Sequence, residues 1–204
     1  MSGTRQASKI RTRNRLVRSA IRLLHRSGVT ALTTGKIASE AGVAQPTFYV
    51  HFEDMKALLN EVASQISATI ITRMQPVRET VMSEPSRRTV REACEMSVRA
   101  LVEDPRFADL YLRHRRDVDT PLGKRFGELT KMARAVLREE LLRIYPEGEL
   151  PQLDIHVDLI FGMTLGLIEA IVDRRVSDLD AAVDILADSI IAQVRSHKRA
   201  AAAA

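Results

Sequence analysis

Gln45, Pro46 and Thr47 stand together where a short helix begins, and their side chains are of the types that read the edges of DNA bases. A glutamine amide can pair bidentately with adenine, while the methyl of Thr47 and the ring carbons of Pro46 can meet a thymine methyl. Phe48, Tyr49 and Phe52 follow, three of the chain's eight aromatic residues within one short segment. Phe48 and Phe52 are four apart and share a helical face, so they are expected to pack inward, leaving Tyr49 and His51 to point outward toward phosphate. An exposed polar rim would hold the same two residues.

Other groupings carry less chemistry. Asp154, His156 and Asp158 are close in sequence, but on a helix the two carboxylates share a face and His156 lies about 200° away from each, so no metal site is expected. Cys94 is the one cysteine, which excludes an intramolecular disulfide and a cysteine-cluster metal site and suits a reducing cytoplasm. Arg91 lies three residues before it, without a convincing activation of a thiolate; a small buried residue is expected. There is no P-loop, dinucleotide fingerprint, Gly-x-Ser-x-Gly elbow or His-Glu-x-x-His motif. An enzyme would have no named nucleophile or acid–base pair, and no cofactor is expected. Arg113-His114-Arg115-Arg116 could receive an anionic head group. It is equally a solvated helix end, where cations favour the negative pole of the dipole.

The elements that must position these residues are helices. Leu16, Val17, Ala20, Ile21 and Leu24 recur at helical spacing and Gly28 supplies a stop. Thr33 or Thr34 can cap a short helix over 36–41, Gly42 suits the turn after it, and Gln45 to Val50 forms the next helix with Pro46 tolerated in its first turn. Asp54 caps a long fourth helix with an apolar stripe from Leu58 to Met74, and Pro76 is expected to end it. Further helices are expected near 86–103, 105–116, 121–145, 152–174 and 178–198. No alternating β-branched run competes, so the fold class is all-α.

The chain has 204 residues, 45% of them apolar and 28% charged, enough for one large or two small domains with an ample core. No stretch approaches ~20 uninterrupted apolar residues, and no apolar run or small-residue cleavage site follows the basic N-terminus, so a soluble cytoplasmic protein with no membrane partner is expected. The net charge of +5 is uneven: residues 1–60 hold ten Lys or Arg against three acids, and residues 61–204 hold 21 against 23. A basic N-terminal module points to a polyanion, although a solvated helix face would also carry such a run. The helix, glycine turn and second short helix decide between them, because a helix-turn-helix places that second helix in a major groove.

With these residues in place the sequence resembles the TetR family of bacterial repressors. Gly28, Leu32, Thr33-Thr34, Ile37-Ala38, Ala41-Gly42-Val43, Thr47, Tyr49, His51-Phe52 and Leu58 carry the resemblance over roughly residues 10–62. It implies that Gln45, Pro46 and Thr47 read bases and that Thr34, Tyr49 and His51 contact phosphate or backbone, with Lys36 in the same basic surface. Gly35 is a departure, standing where one member of the family places an arginine that reaches a guanine. Met55 stands where many members have a phosphate-binding lysine; Lys56 is adjacent but about 100° around the helix, and whether it substitutes is open. Arg5, Arg11 and Arg13 form an N-terminal arm that could compensate at phosphate or in the minor groove.

Beyond residue 62 the resemblance weakens. It implies a DNA-binding domain over 1–60 and a helical ligand-binding and dimerisation domain over 61–199; the alanines at 200–204 are set aside as a frayed end or appended tail. Residues 159–168 are apolar all round, as a buried helix would be, and Gly162 and Gly166 give it a smooth strip. A dimer helix and a monomer's central helix would both look like this, and the family favours the dimer. Met96, Phe107, Leu110, Tyr111, Phe126, Phe161 and Leu165 are candidates to line an apolar pocket, and a plain core would use the same residues. The resulting expectation is a homodimeric repressor on a palindromic double-stranded DNA operator, released by a small apolar or amphipathic effector such as a fatty acyl or drug-like molecule. The alternatives are a helical enzyme or ligand-binding protein whose basic N-terminus does not read DNA, and an effector-independent DNA binder.

Overall fold

The computed structural model describes residues 2–81, 86–145 and 150–202, and among these residues every regular element is a helix. The all-α expectation therefore holds. Helix α1 runs Ser2–Ser27 and ends at Gly28, whose φ of 73° is the left-handed conformation that a residue without Cβ adopts at little cost. Its second half buries Leu16, Val17, Ala20, Ile21 and Leu24. The first half is helical too, with residues 5–11 exposed, so the basic arm is the opening of a long helix.

Short α2 (Thr34–Glu40) and α3 (Gln45–His51) follow, then α4 (Met55–Val81). Each start is explained locally: the Thr33 hydroxyl accepts from the Lys36 N–H, Pro46 sits in the first turn of α3, and Asp54 accepts from the Ala57 N–H at 2.7 Å. Helix α4 does not stop at Pro76 as the sequence predicts. A proline deletes one N–H and crowds one carbonyl, and with helix on both sides that local cost does not break α4.

The chain divides into two units. The first comprises residues 1–68 with 109–127, and the second 69–108 with 128–204. Helices α6 (Pro105–His114) and α7 (Pro121–Ile144), like α4, contribute to both. In the first unit α1, α2 and α3 pack together, and Ile37, Phe48, Leu58, Leu110, Leu122 and Phe126 are fully buried. The segment 109–127, which the sequence predicts within the C-terminal domain, thus belongs with the N-terminal helices. His25 of α1 lies 2.7 Å from the buried Asp109 carboxylate of α6, whose other oxygen accepts from Arg113 at 2.7 Å.

In the second unit α5 (Arg87–Val102) packs on both α8 (Leu153–Val172) and α9 (Leu179–Ala202). Cys94, Val98, Ile160, Ile168, Val183 and Ala187 are buried there, and Leu141, Val157 and Ile160 form a cluster backed by Leu137, Met163 and Ile190. An arginine–aspartate ladder edges the α5–α9 contact: Arg87 chelates Asp188 at 2.7 and 2.9 Å, and Arg91 meets Asp184 at 2.8 Å and Asp180 at 3.3 Å. Solvent-accessible pairs are individually worth ~0–1 kcal/mol, and the bidentate geometry of Arg87 on Asp188 fixes register more than it adds stability. Helix α8 is long and apolar enough to cross a membrane by length and average composition, although Asp154, Asp158 and Glu169 interrupt it. Helix α9 continues into the alanine run as far as Ala202; residues 203–204 lie outside the described residues.

One position in the first turn of α7 leaves no room for a side chain. A Cβ on Gly123 would stand 2.0 Å from the Asp117 carbonyl oxygen, a backbone atom that cannot swing aside. Gly123→Ala should therefore destabilise the chain by about 3 kcal/mol, read as a lower urea midpoint with an unchanged m-value.

Candidate nucleic-acid interface

The two short helices are held from below. Ile37 and Ala38 anchor α2, and Arg22 of α1 donates to Glu40 at 2.9 Å, with Arg26 3.6 Å away. These guanidiniums hold the Glu40 carboxyl below its ordinary range. Between α2 and α3 the N–H groups of Ala41, Gly42 and Val43 return to the carbonyls of Ile37, Ser39 and Ala38, and Gly42 takes a φ of 66°. Helix α3 is then pinned by Phe48, fully buried, with its ring edge-on to Tyr49 at 5.3 Å and tilted against Phe52 at 5.8 Å.

Burying Phe48 and Phe52 turns the opposite face of α3 out. Gln45 and Pro46 are exposed, Tyr49 is 55% exposed and Val50 65%, while Thr47 is half-buried at the edge. Val50 is absent from the sequence-derived set. Its signal was available, since position 50 lies about 200° around the helix from both buried phenylalanines. A valine methyl so exposed has the chemistry to meet a thymine methyl.

The outward polar groups are linked. Gln45 Nε2 donates to Thr34 Oγ1 at 3.0 Å, and the same oxygen lies 3.4 Å from Tyr49 Oη. Lys36 is exposed, with Nζ donating to the Ala31 carbonyl at 2.9 Å, and Lys56 is exposed in the first turn of α4.

Two sequence-predicted residues take other positions. His51 does not point freely outward: it is half-buried, and its Nδ1 is buried without a hydrogen-bond partner. Burial, with Lys9 and Arg13 nearby, lowers its pKa below the ordinary imidazole value. Arg13 is no free arm residue. Its guanidinium lies 4.1 Å from the Phe52 ring centroid, pairs with Glu61 at 2.7 Å and donates to the His51 carbonyl, so it clasps α1 to the end of α3 and to α4. Arg5 and Arg11 are exposed on α1.

The seven pocket candidates do not belong to one unit. Leu110, Tyr111 and Phe126 are buried in the first, where Tyr111 and Phe126 meet edge-on at 5.7 Å. Met96, Phe107, Phe161 and Leu165 are half-buried in the second, with Arg73 6.0 Å from the Phe107 ring and Arg134 5.2 Å from Phe161. The basic segment after Tyr111 is largely engaged within itself: Arg113 with Asp109, His114 with Asp117 at 2.7 Å, and Arg115 with the Leu112 carbonyl at 2.7 Å.

Asp154, Asp158 and His156 go to separate partners, Arg138 at 2.9 Å, Arg134 at 3.1 Å and Gln193 at 3.0 Å. Among the described residues no group of three acidic, histidine or cysteine side chains is placed to hold a metal ion. Cys94 is buried, which pushes its thiol up to about 11 and keeps it protonated at neutral pH.

Residues 16–62 match the family model described as bacterial regulatory proteins, tetR family. Over 63 residues the chain is 41% identical to the class A tetracycline repressor of transposon 1721 from Escherichia coli, a match covering 31% of this chain and 29% of that protein. The alignment thus spans under a third of that relative's length. Among solved structures, NalD, the secondary repressor of the MexAB-OprM multidrug efflux pump in Pseudomonas aeruginosa, has a TM-score of 0.70 at 21% identity, covering 91% of this chain and 96% of that one. The regulator FadR from Bacillus subtilis, in complex with stearoyl-CoA, has a TM-score of 0.68 at 17% identity, covering 86% and 96%. At these identities the likeness is one of fold.

The lowered pKa of His51 has a direction that stability can report. A histidine that is easier to keep neutral when folded than when unfolded gives the unfolded chain more protons to bind, so its contribution is complete above the ordinary value of 6.5 and declines as pH falls through it. Wild-type chain should lose more stability between pH 7.5 and 5.5 than His51→Gln, measured by urea unfolding at both pH values.

Proposed function

We propose that this chain, whose residues 16–62 match the tetR family of bacterial regulatory proteins, is a transcriptional repressor of that kind that binds a palindromic operator as a homodimer and is released by a small apolar or amphipathic effector. The observation that carries the DNA-reading part is the face of α3: two buried phenylalanines turn Gln45, Pro46, Tyr49 and Val50 outward from a helix-turn-helix. Gln45, Pro46 and Thr47 read base edges, with Val50 beside them. Thr34, Tyr49, Lys36, Lys56, Arg5 and Arg11 serve the phosphate backbone, and Arg13 and His51 hold α3 in place for them. Family and fold favour a regulator over an enzyme, and none of these residues forms an acid–base pair.

The dimer is supported by a strip on the second unit. Ile155 and Leu159 on α8 are 54% and 48% exposed, Gly162 and Gly166 continue the same face with open space above them, and Ile185 on α9 is 68% exposed. Exposed apolar residues at this spacing beside two glycines suit the close approach of a second copy. Two reading helices in one dimer then meet successive major grooves ~34–36 Å apart. An effector in the second unit, near Met96, Phe107, Phe161 and Leu165, releases DNA to the extent that it favours a dimer with another spacing. That NalD represses an efflux pump and FadR holds stearoyl-CoA supports an apolar or amphipathic effector here.

Three measurements check this reading. On a duplex enriched from a random library, Gln45→Ala and Thr47→Ala should each weaken binding by ~1–3 kcal/mol and leave random DNA nearly unaffected; equal losses on both would remove the base-reading role. Replacing Arg5 and Arg11 by alanine should flatten the salt dependence of affinity, and an unchanged slope would mean that they touch no phosphate. Leu159→Arg should convert a dimer into a monomer in detergent-free sedimentation, whereas a wild-type monomer would leave the α8 strip to another occupant.

A further inference from the structure

Gln45 opens α3 and Thr34 opens α2, eleven residues earlier, yet the amide nitrogen of one lies 3.0 Å from the hydroxyl oxygen of the other. Gly35 forms the floor beneath the amide: a Cβ at that position would stand 3.6 Å from Gln45 Oε1, 3.7 Å from Cδ and 4.0 Å from Nε2. The Gln45 side chain is therefore laid across the first turn of α2. Tyr49 Oη, one turn further along the same face of α3, closes the group 3.4 Å from the same hydroxyl oxygen.

The donors and acceptors then divide cleanly. A primary amide has two N–H donors and one carbonyl acceptor. With one N–H on Thr34, the other N–H and Oε1 remain, and these are what a bidentate contact with adenine N7 and N6 requires. The hydroxyl in turn accepts from Gln45 with one lone pair and keeps its O–H and another lone pair for Tyr49 or for a phosphate oxygen. An exposed glutamine without this bond would have to give up its rotamer freedom when it met a base.

We infer that the Thr34 hydroxyl is a specificity-determining positioning group: it sets the Gln45 amide before DNA arrives, so selectivity at the base Gln45 reads depends on a residue that touches no base. This rests on the base-reading role of Gln45 proposed above. A Thr34 that served phosphate alone would act on every sequence alike.

The test uses the full-length chain and a random-core duplex library. The duplex enriched by wild type is compared with its derivatives at the base pair where Gln45→Ala loses preference, and affinities are measured for wild type, Thr34→Val, Thr34→Ser, Gln45→Ala and the Thr34→Val/Gln45→Ala double variant. Thr34→Val should cut the preference at that base pair by about 3- to 10-fold, Thr34→Ser should retain it, and Thr34→Val should have no further effect on it in the Gln45→Ala background. A uniform loss across all duplexes, or additive losses in the double variant, overturns the positioning role. If no site is enriched, or Gln45→Ala leaves every preference intact, it is the base-reading function that fails. The bond itself is then judged on the DNA-free protein by the Gln45 side-chain amide resonances: restricted in wild type and Thr34→Ser and released in Thr34→Val supports it, and identical behaviour in all three overturns it.

Discussion

The burial of Phe48 is the interaction on which the outward face of α3 depends. A helix of seven residues does not hold itself together in water, because its few hydrogen bonds barely offset the cost of nucleation. What keeps α3 helical is one aromatic ring sunk completely into the first unit and a second, Phe52, four residues on. The orientation of every outward side chain follows from that anchoring. Arg13 reinforces it from α1 by covering the face of Phe52 and holding the last carbonyl of α3, so a residue of the basic N-terminus acts through packing as much as through charge.

The positive charge of the N-terminal region is accordingly divided. Of its three acids, Glu40 engages Arg22 and Arg26, and Asp54 is committed to capping α4. The remaining cations on α1, among them Arg5, Arg11 and Arg18, stay exposed. The second unit handles charge differently, pairing arginines of α5 with aspartates of α9 in a ladder. One region keeps a field that can attract an anion, and the other neutralises its own.

The parts of this arrangement that were legible in the sequence are those fixed within a few residues. Gly28, Thr33, Gly42, Pro46 and Asp54 mark helix ends by local chemistry, and each does so in the structure. Pro76 misled because its cost is local while the helix it sits in is long. The surroundings of Arg13 and His51 were not legible, for the opposite reason. Their environments come from residues about forty positions away, and neither charge nor periodicity encodes that Phe52 needs a cover. The pocket candidates were the least legible. Leu110, Tyr111 and Phe126 have the composition of a binding site and occupy the core of the first unit, since large apolar side chains fill either place equally well.

Cys94 lies on the buried face of α5 with its thiol held protonated at neutral pH. Maleimides and related probes react with thiolates, so this side chain is nearly silent toward them without being replaced. A single engineered cysteine on an exposed helix face would therefore be the one reactive thiol in the protein. The native sequence is in this respect already prepared for site-selective spectroscopy, with dyes or spin labels reporting on α3 and on α9 in an otherwise unaltered chain.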